Sequence, residues 1–153
     1  MKINNKIILL SIFVIFVSCE SNNPTEAIDY SLSEHISSTH FEYYFSKGDN
    51  SKIDTVWQEN YYNWLVSQLN VKLEHKLEFY KYRNREHILR VTGIRTNGFA
   101  VPGTYRFNTI WNIDNHESIH TVVMQTIGHP PSLFNEGIAV AFQALLVNRK
   151  YVP

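Results

Sequence analysis

His116-Glu117-Ser118-Ile119-His120 is the stretch of this chain whose residue types and spacing can do chemistry. Two histidines four residues apart lie on the same side of a helix, one turn from each other. Their imidazoles can converge on a single ion at the roughly 2.0–2.1 Å that zinc requires. Glu117 projects about 100° around the helix from His116. It can therefore approach a water on the metal without occupying the metal, which is what a general base needs. A catalytic zinc site takes three protein ligands and keeps one position open. The candidate for the third is Glu136, in Leu133-Phe134-Asn135-Glu136-Gly137-Ile138-Ala139, near the start of a mostly apolar helix. A lone carboxylate in such a setting is costly unless a cation or partner offsets it.

These residues need elements to hold them. Ile113, His116, His120, Val123, Met124 and Ile127 share one helical face, and Gly128 stops that helix. His129-Pro130-Pro131 forces a turn, and Ser132 is a plausible N-cap for a final helix through about Val147. That turn lets the last helix fold back and bring Glu136 to the ion. Upstream, His40 to Phe45 reads as a strand ending in a turn. From Ser51, the spacing of Ile53, Val56, Trp57, Tyr61, Trp64, Leu65 and Leu69 predicts an amphipathic helix closed by Asn70. A second strand runs from Leu73 through Arg83, and a short helix from Arg85 to Val91 ends at Gly93. Asn97-Gly98 and Pro102-Gly103 mark turns around a hairpin of Phe99–Val101 and Thr104–Ile110, which leads straight into the histidine helix. The order predicts an α+β fold: a small mixed or antiparallel sheet, a helix bearing the histidine pair, and a following helix bearing the glutamate.

His-Glu-x-x-His followed by Asn-Glu-Gly-x-Ala resembles the gluzincin metallopeptidases, the clan that includes thermolysin and a family of zinc aminopeptidases. The resemblance covers about Phe99 to Val147. It implies a zincin-like fold, a zinc cofactor and a peptide or protein substrate, with His116, His120 and Glu136 as ligands and Glu117 as base and proton shuttle. The hairpin before the motif would be the edge strand that holds extended substrate. This sequence departs from the pattern in two places. Fifteen residues separate His120 from Glu136, fewer than in the best-known families. The chain also reaches Pro153 before the helical region that in relatives supplies an oxyanion-stabilising Tyr or His. The expectation is a zincin-like domain over 38–153 whose C-terminal subdomain is short or missing. Substrate-binding residues stay unassigned: Tyr105 and Asn108 on the hairpin read equally well as substrate contacts or as packing.

The N-terminus is of different material. Met1 to Lys6 is cationic, and Ile7 to Val17 is apolar except for Ser11. Eleven helical residues rise only about 16 Å against roughly 30 Å of bilayer hydrocarbon, so this predicts a signal-peptide core rather than a span. Phe16-Val17-Ser18-Cys19 resembles the lipobox of bacterial lipoproteins, which implies a signal peptide over 1–18 and lipidation of Cys19. Residues 19–37, rich in Ser, Asn and Glu, read as a flexible tether. The expected location is the bacterial cell envelope, exported and held to the membrane by the N-terminal lipid.

Of the 153 residues, 44% are apolar and 18% charged, which suits one packed domain. Basic and acidic residues number 14 each, so no basic face argues for nucleic acid. Nothing in the pattern speaks to oligomeric state. His129, before the two prolines, reads as a loop residue, and His35, His40, His75 and His87 lack metal-like spacing. Asp114 reads as a helix-start charge that suits the dipole. A metal-storage or sensor role fits less well, since no fourth ligand is supplied. The second reading is a catalytically inactive peptidase-like lipoprotein that binds peptide or an envelope protein.

Overall fold

The computed structural model describes residues 31–49 and 53–147. The signal segment, Cys19 and the start of the tether lie outside them. Among the described residues, nine elements follow in order. They are β1 (Glu34–Ser37), β2 (Phe41–Phe45), α1 (Thr55–Leu69), β3 (Leu77–Lys81), α2 (Arg85–Thr92), β4 (Gly98–Ala100), β5 (Arg106–Thr109), α3 (Asn115–Thr126) and α4 (Ser132–Val147). The class is α+β, and the sheet is mixed.

The five strands run in the order β1-β2-β3-β5-β4. β2, β3 and β5 are parallel, while β1 and β4 pair antiparallel at the two edges. One boundary needs correcting. Glu34–Ser37, assigned to the tether by composition, is an edge strand in register with Glu42–Phe45. Its side chains are too polar for alternation to be visible, because most face solvent.

Strand side chains alternate between faces. Phe41 and Tyr43, Leu77 and Phe79, and Phe107 point to one face and are fully buried. Neighbouring rings meet across the strands, Tyr43 to Phe79 at 5.3 Å and Phe79 to Phe107 at 4.9 Å. Tyr61, Tyr62 and Leu65 of α1, Ile119, Val122 and Val123 of α3, and Ala139 of α4 complete that core. On the opposite face Tyr44 stacks on Tyr80 at 4.6 Å, and the Arg106 guanidinium lies 3.7 Å from the Tyr80 ring centre.

The helix ends follow local chemistry. Asp54 caps α1 by accepting from Trp57 N at 2.9 Å, and Asn70 closes it in the left-handed region at φ 52°. Asn84 caps α2 in the same way, and Gly93 ends it. After α3, Gly128 adopts φ 100°, a conformation that favours glycine, and its N–H donates to Val123 O. Ser132 is the first residue of α4 rather than its cap. The Pro131 carbonyl accepts from the N–H of Phe134 and Asn135. Among the described residues no helix is long and apolar enough to cross a membrane.

Candidate metal centre

The helix that carries His116 and His120 is fixed at its start by an unusual division of labour. In a capping box, the N-cap side chain accepts from the third helical N–H and the glutamate there reaches back to the cap's own N–H. Asp114 performs the first half, accepting from Glu117 N at 3.0 Å. The second half is taken by Gln58 of α1, whose Oε1 accepts from Asp114 N at 3.3 Å and whose Nε2 donates to Ser118 Oγ at 2.8 Å. Gln58 thereby releases the Glu117 carboxylate from capping.

α3 packs its apolar face, Ile119, Val122 and Val123, against the core. This leaves the two imidazoles facing the start of α4. His120 Nε2 lies 3.0 Å from His116 Nε2, and the rings stand nearly perpendicular at 88°. Across the turn, Glu136 brings Oε2 to 3.4 Å from His116 Nε2 and Oε1 to 3.3 Å from His120 Nε2. Ligands about 2.0–2.1 Å from a tetrahedral ion are separated by roughly 3.3–3.4 Å, so these spacings suit one. His116, His120 and Glu136 form a group that can hold a metal ion, the one such trio among the described residues.

Hydrogen bonding supports that reading. His116 Nδ1 is 3.2 Å from Gln143 Oε1, so a proton on Nδ1 is satisfied and the Nε2 lone pair is left for the trio. His120 is 7% exposed, and its Nδ1 has no partner. Two imidazole nitrogens this close need a shared proton or a cation between them.

Glu117 stays outside the ligand trio. Burial, and then the charge of Asp114, push its carboxyl up to about 8, although the Ala100 backbone N–H bonds it and opposes the rise. Burial also raises Asp114, against the bonds from Glu117 N–H and Thr109. A cation in the trio would draw both back down. Gly98 of β4 makes this approach possible: a Cβ there would come within 3.1 Å of Asp114 Oδ2 and Glu117 Cγ. The sequence reads Gly98 only as a turn residue.

Two hollows flank His116 and Glu117. One, of about 290 Å³, is lined by the ligand trio, Phe99, Ala100 and Met124. The other, of about 840 Å³, opens past Asp114 toward α2. β4 forms the sheet edge beside them. Asn108, a possible substrate contact by sequence, lies on the interior strand β5 instead, buried and accepting from Tyr82 OH at 3.0 Å. Tyr105 sits edge-on to His75 at 5.1 Å. Cys19 lies outside the described residues.

Gln58, Gln143 and the capping role of Asp114 escaped sequence reading, though each left a trace. Gln58, Tyr61, Tyr62 and Leu65 follow the i, i+3, i+4, i+7 template of a buried face, and Gln143 stands two turns after Glu136. Asp114 and Glu117 have capping-box spacing. No protein family, curated protein or solved structure matches the chain.

Proposed function

We propose that this chain is a zinc-dependent metallopeptidase of gluzincin type, exported and anchored through lipid on Cys19 in a bacterial envelope. The observation that carries the reading is the convergence of His116, His120 and Glu136 donor atoms at 3.0–3.4 Å, with Glu117 beside them and outside the set. Two nitrogens and one carboxylate with an open side match a catalytic rather than a structural zinc site. When bound, zinc supplies Lewis acidity toward a scissile carbonyl and lowers the pKa of a water in its open position.

The chain's own residues do the rest. Glu117 takes the proton of the attacking water and hands it to the leaving amine, a relay open to a carboxylate that stands beside the ligand trio without joining it. Gln143 keeps the His116 ring in one tautomer. The short strand β4, at the sheet edge beside Glu117, offers backbone groups to an extended peptide.

The test is zinc content and peptide hydrolysis in the mature protein, alongside Glu117→Gln. One zinc per chain, with hydrolysis lost in that variant, supports the reading. Full zinc loading with no cleavage of any peptide pool would sink the enzyme and leave a peptide-binding lipoprotein. Equal activity in Glu117→Gln would sink the mechanism. Metabolic labelling with palmitate tests the anchor, with Cys19→Ser expected to lose label and leave the membrane fraction.

A further inference from the structure

The larger hollow shares Gly98, His116 and Glu117 with the smaller one, so a substrate bound at the trio can extend into it. At about 840 Å³ it falls within the roughly 300–1,000 Å³ of ligand sites. Arg85, at the start of α2, and Arg95, just beyond its Gly93 cap, both line it. Three cations elsewhere in the described fold are ion-paired: Lys76 with Glu42, Lys81 with Asp49, and Arg90 with Glu86. Arg85 and Arg95 form no ion pair among the described residues. Arg85 Nε donates to Asn97 Oδ1, which steadies the guanidinium and leaves both terminal nitrogens for a ligand. The two carboxylates in the lining are already engaged, Asp114 by Glu117 N–H and Glu117 by Ala100 N–H. Trp111 and Ile113 add exposed apolar surface beside the arginines.

We propose that this hollow is a carboxylate-recognising subsite built on Arg85 and Arg95, so that preferred substrates are peptides carrying an acidic group near the cleaved bond. The proposal rests on the metallopeptidase reading and narrows its substrate class. A guanidinium presents a planar fork that matches a carboxylate in two parallel bonds. In a peptide, that carboxylate belongs either to an Asp or Glu side chain or to a free C-terminus, and the same two arginines suit both. Trp111 and Ile113 would cover the methylene stem that leads to it.

Four matched peptides make the test: one containing Glu, its Gln counterpart, and each with a free or amidated C-terminus. Affinity is measured by titration into zinc-loaded Glu117→Gln protein, and kcat/KM on the parent protein. A carboxylate in the favoured position is expected to improve binding about tenfold, a preference that shrinks as salt rises. The side-chain and terminus arms show which carboxylate is read. In Arg85→Gln/Arg95→Gln the ratio of acidic to neutral peptide should fall to about one. Arg95→Gln, which breaks no hydrogen bond among the described residues, should reduce it in part and serves if the double variant misfolds. Equal affinity for all four peptides would overturn the subsite, as would an undiminished ratio in the arginine variants. Equal cleavage of acidic and neutral peptides would defeat the subsite and leave the peptidase standing. Carboxylate-selective binding with no cleavage of any peptide would do the reverse.

Discussion

Two His–Glu clusters in this molecule look alike in composition and differ in what they leave undone. In the first, Glu59 of α1 accepts from Ser38 Oγ, from His40 N at 2.8 Å and, through its other oxygen, meets His40 Nδ1 at 2.6 Å. Tyr62 stacks on the His40 ring at 4.3 Å. Burial pushes the Glu59 carboxyl up, but these bonds outweigh it and hold it below the usual range. In the second, two Nε2 atoms face each other, His120 Nδ1 lacks a partner, and Glu136 stands 61% exposed beside them. One cluster is complete as protein. The other brings its donors to within 3.0–3.4 Å of one another, and that difference, not the residue types, separates a closed His–Glu pair from a group that can hold a metal ion.

The comparison can be broken by crossing the two clusters. The largest expected effect is on Glu117→Gln, where kcat should fall by about 10²–10⁴ while zinc stays bound. Next, Glu136→Ala should weaken zinc at least as much as the roughly 10–100-fold typical of losing a residue that merely supports a ligand. It should leave the metal-free unfolding free energy nearly unchanged, because the side chain is exposed. Glu59→Gln should do the opposite, costing about 1–3 kcal/mol in a denaturant melt with no change in zinc affinity. A zinc titration of Glu59→Gln that shifted as far as that of Glu136→Ala would end the distinction. Gln143→Ala should lower zinc affinity by about tenfold, the smaller consequence of freeing one imidazole.

A separate test is a pair of opposed pH slopes in chelated protein. Glu59, with its carboxyl depressed, contributes stability that is present above its unfolded value of 4.5 and lost as pH falls through its folded value. Glu117, raised to about 8, contributes stability that is present below 4.5 and lost as pH climbs to about 8. Melting across pH should therefore show Glu59→Gln flattening the acid limb and Glu117→Gln flattening the limb above 4.5. A single variant that flattened both would mean the clusters are coupled.

The trio was legible in the sequence because its logic is local: an i, i+4 pair on one helix, a stop at Gly128, and a carboxylate just past a double proline. So were α1, α2 and the hairpin, each bounded by a residue with its own backbone reason, such as Asn70 or Gly93. What stayed hidden depends on contacts between distant segments. Gln58 reaches across 60 positions to Ser118, and nothing in the sequence near either residue announces the bond. The interior place of β5 follows from parallel pairing with β3, which strand patterns do not encode. β1 was missed because an edge strand with one neighbour and four polar or exposed positions has no hydrophobic signature to read.

The turn between α3 and α4 carries a consequence in polymer terms. An ion gripped by His120 and Glu136 ties off a loop of fifteen residues, much as a disulfide would, and this sequence has one cysteine with which to make any. For a covalent tie of that length, the chain-entropy model gives about 3 kcal/mol. α4 meets the core through Ile138, Ala139 and Phe142 but turns Leu133, Phe134 and Val140 to solvent. If the proposed zinc is bound, a chelator would remove a staple as well as a cofactor, and proteolytic nicking after chelation should begin in α4 before the sheet loosens.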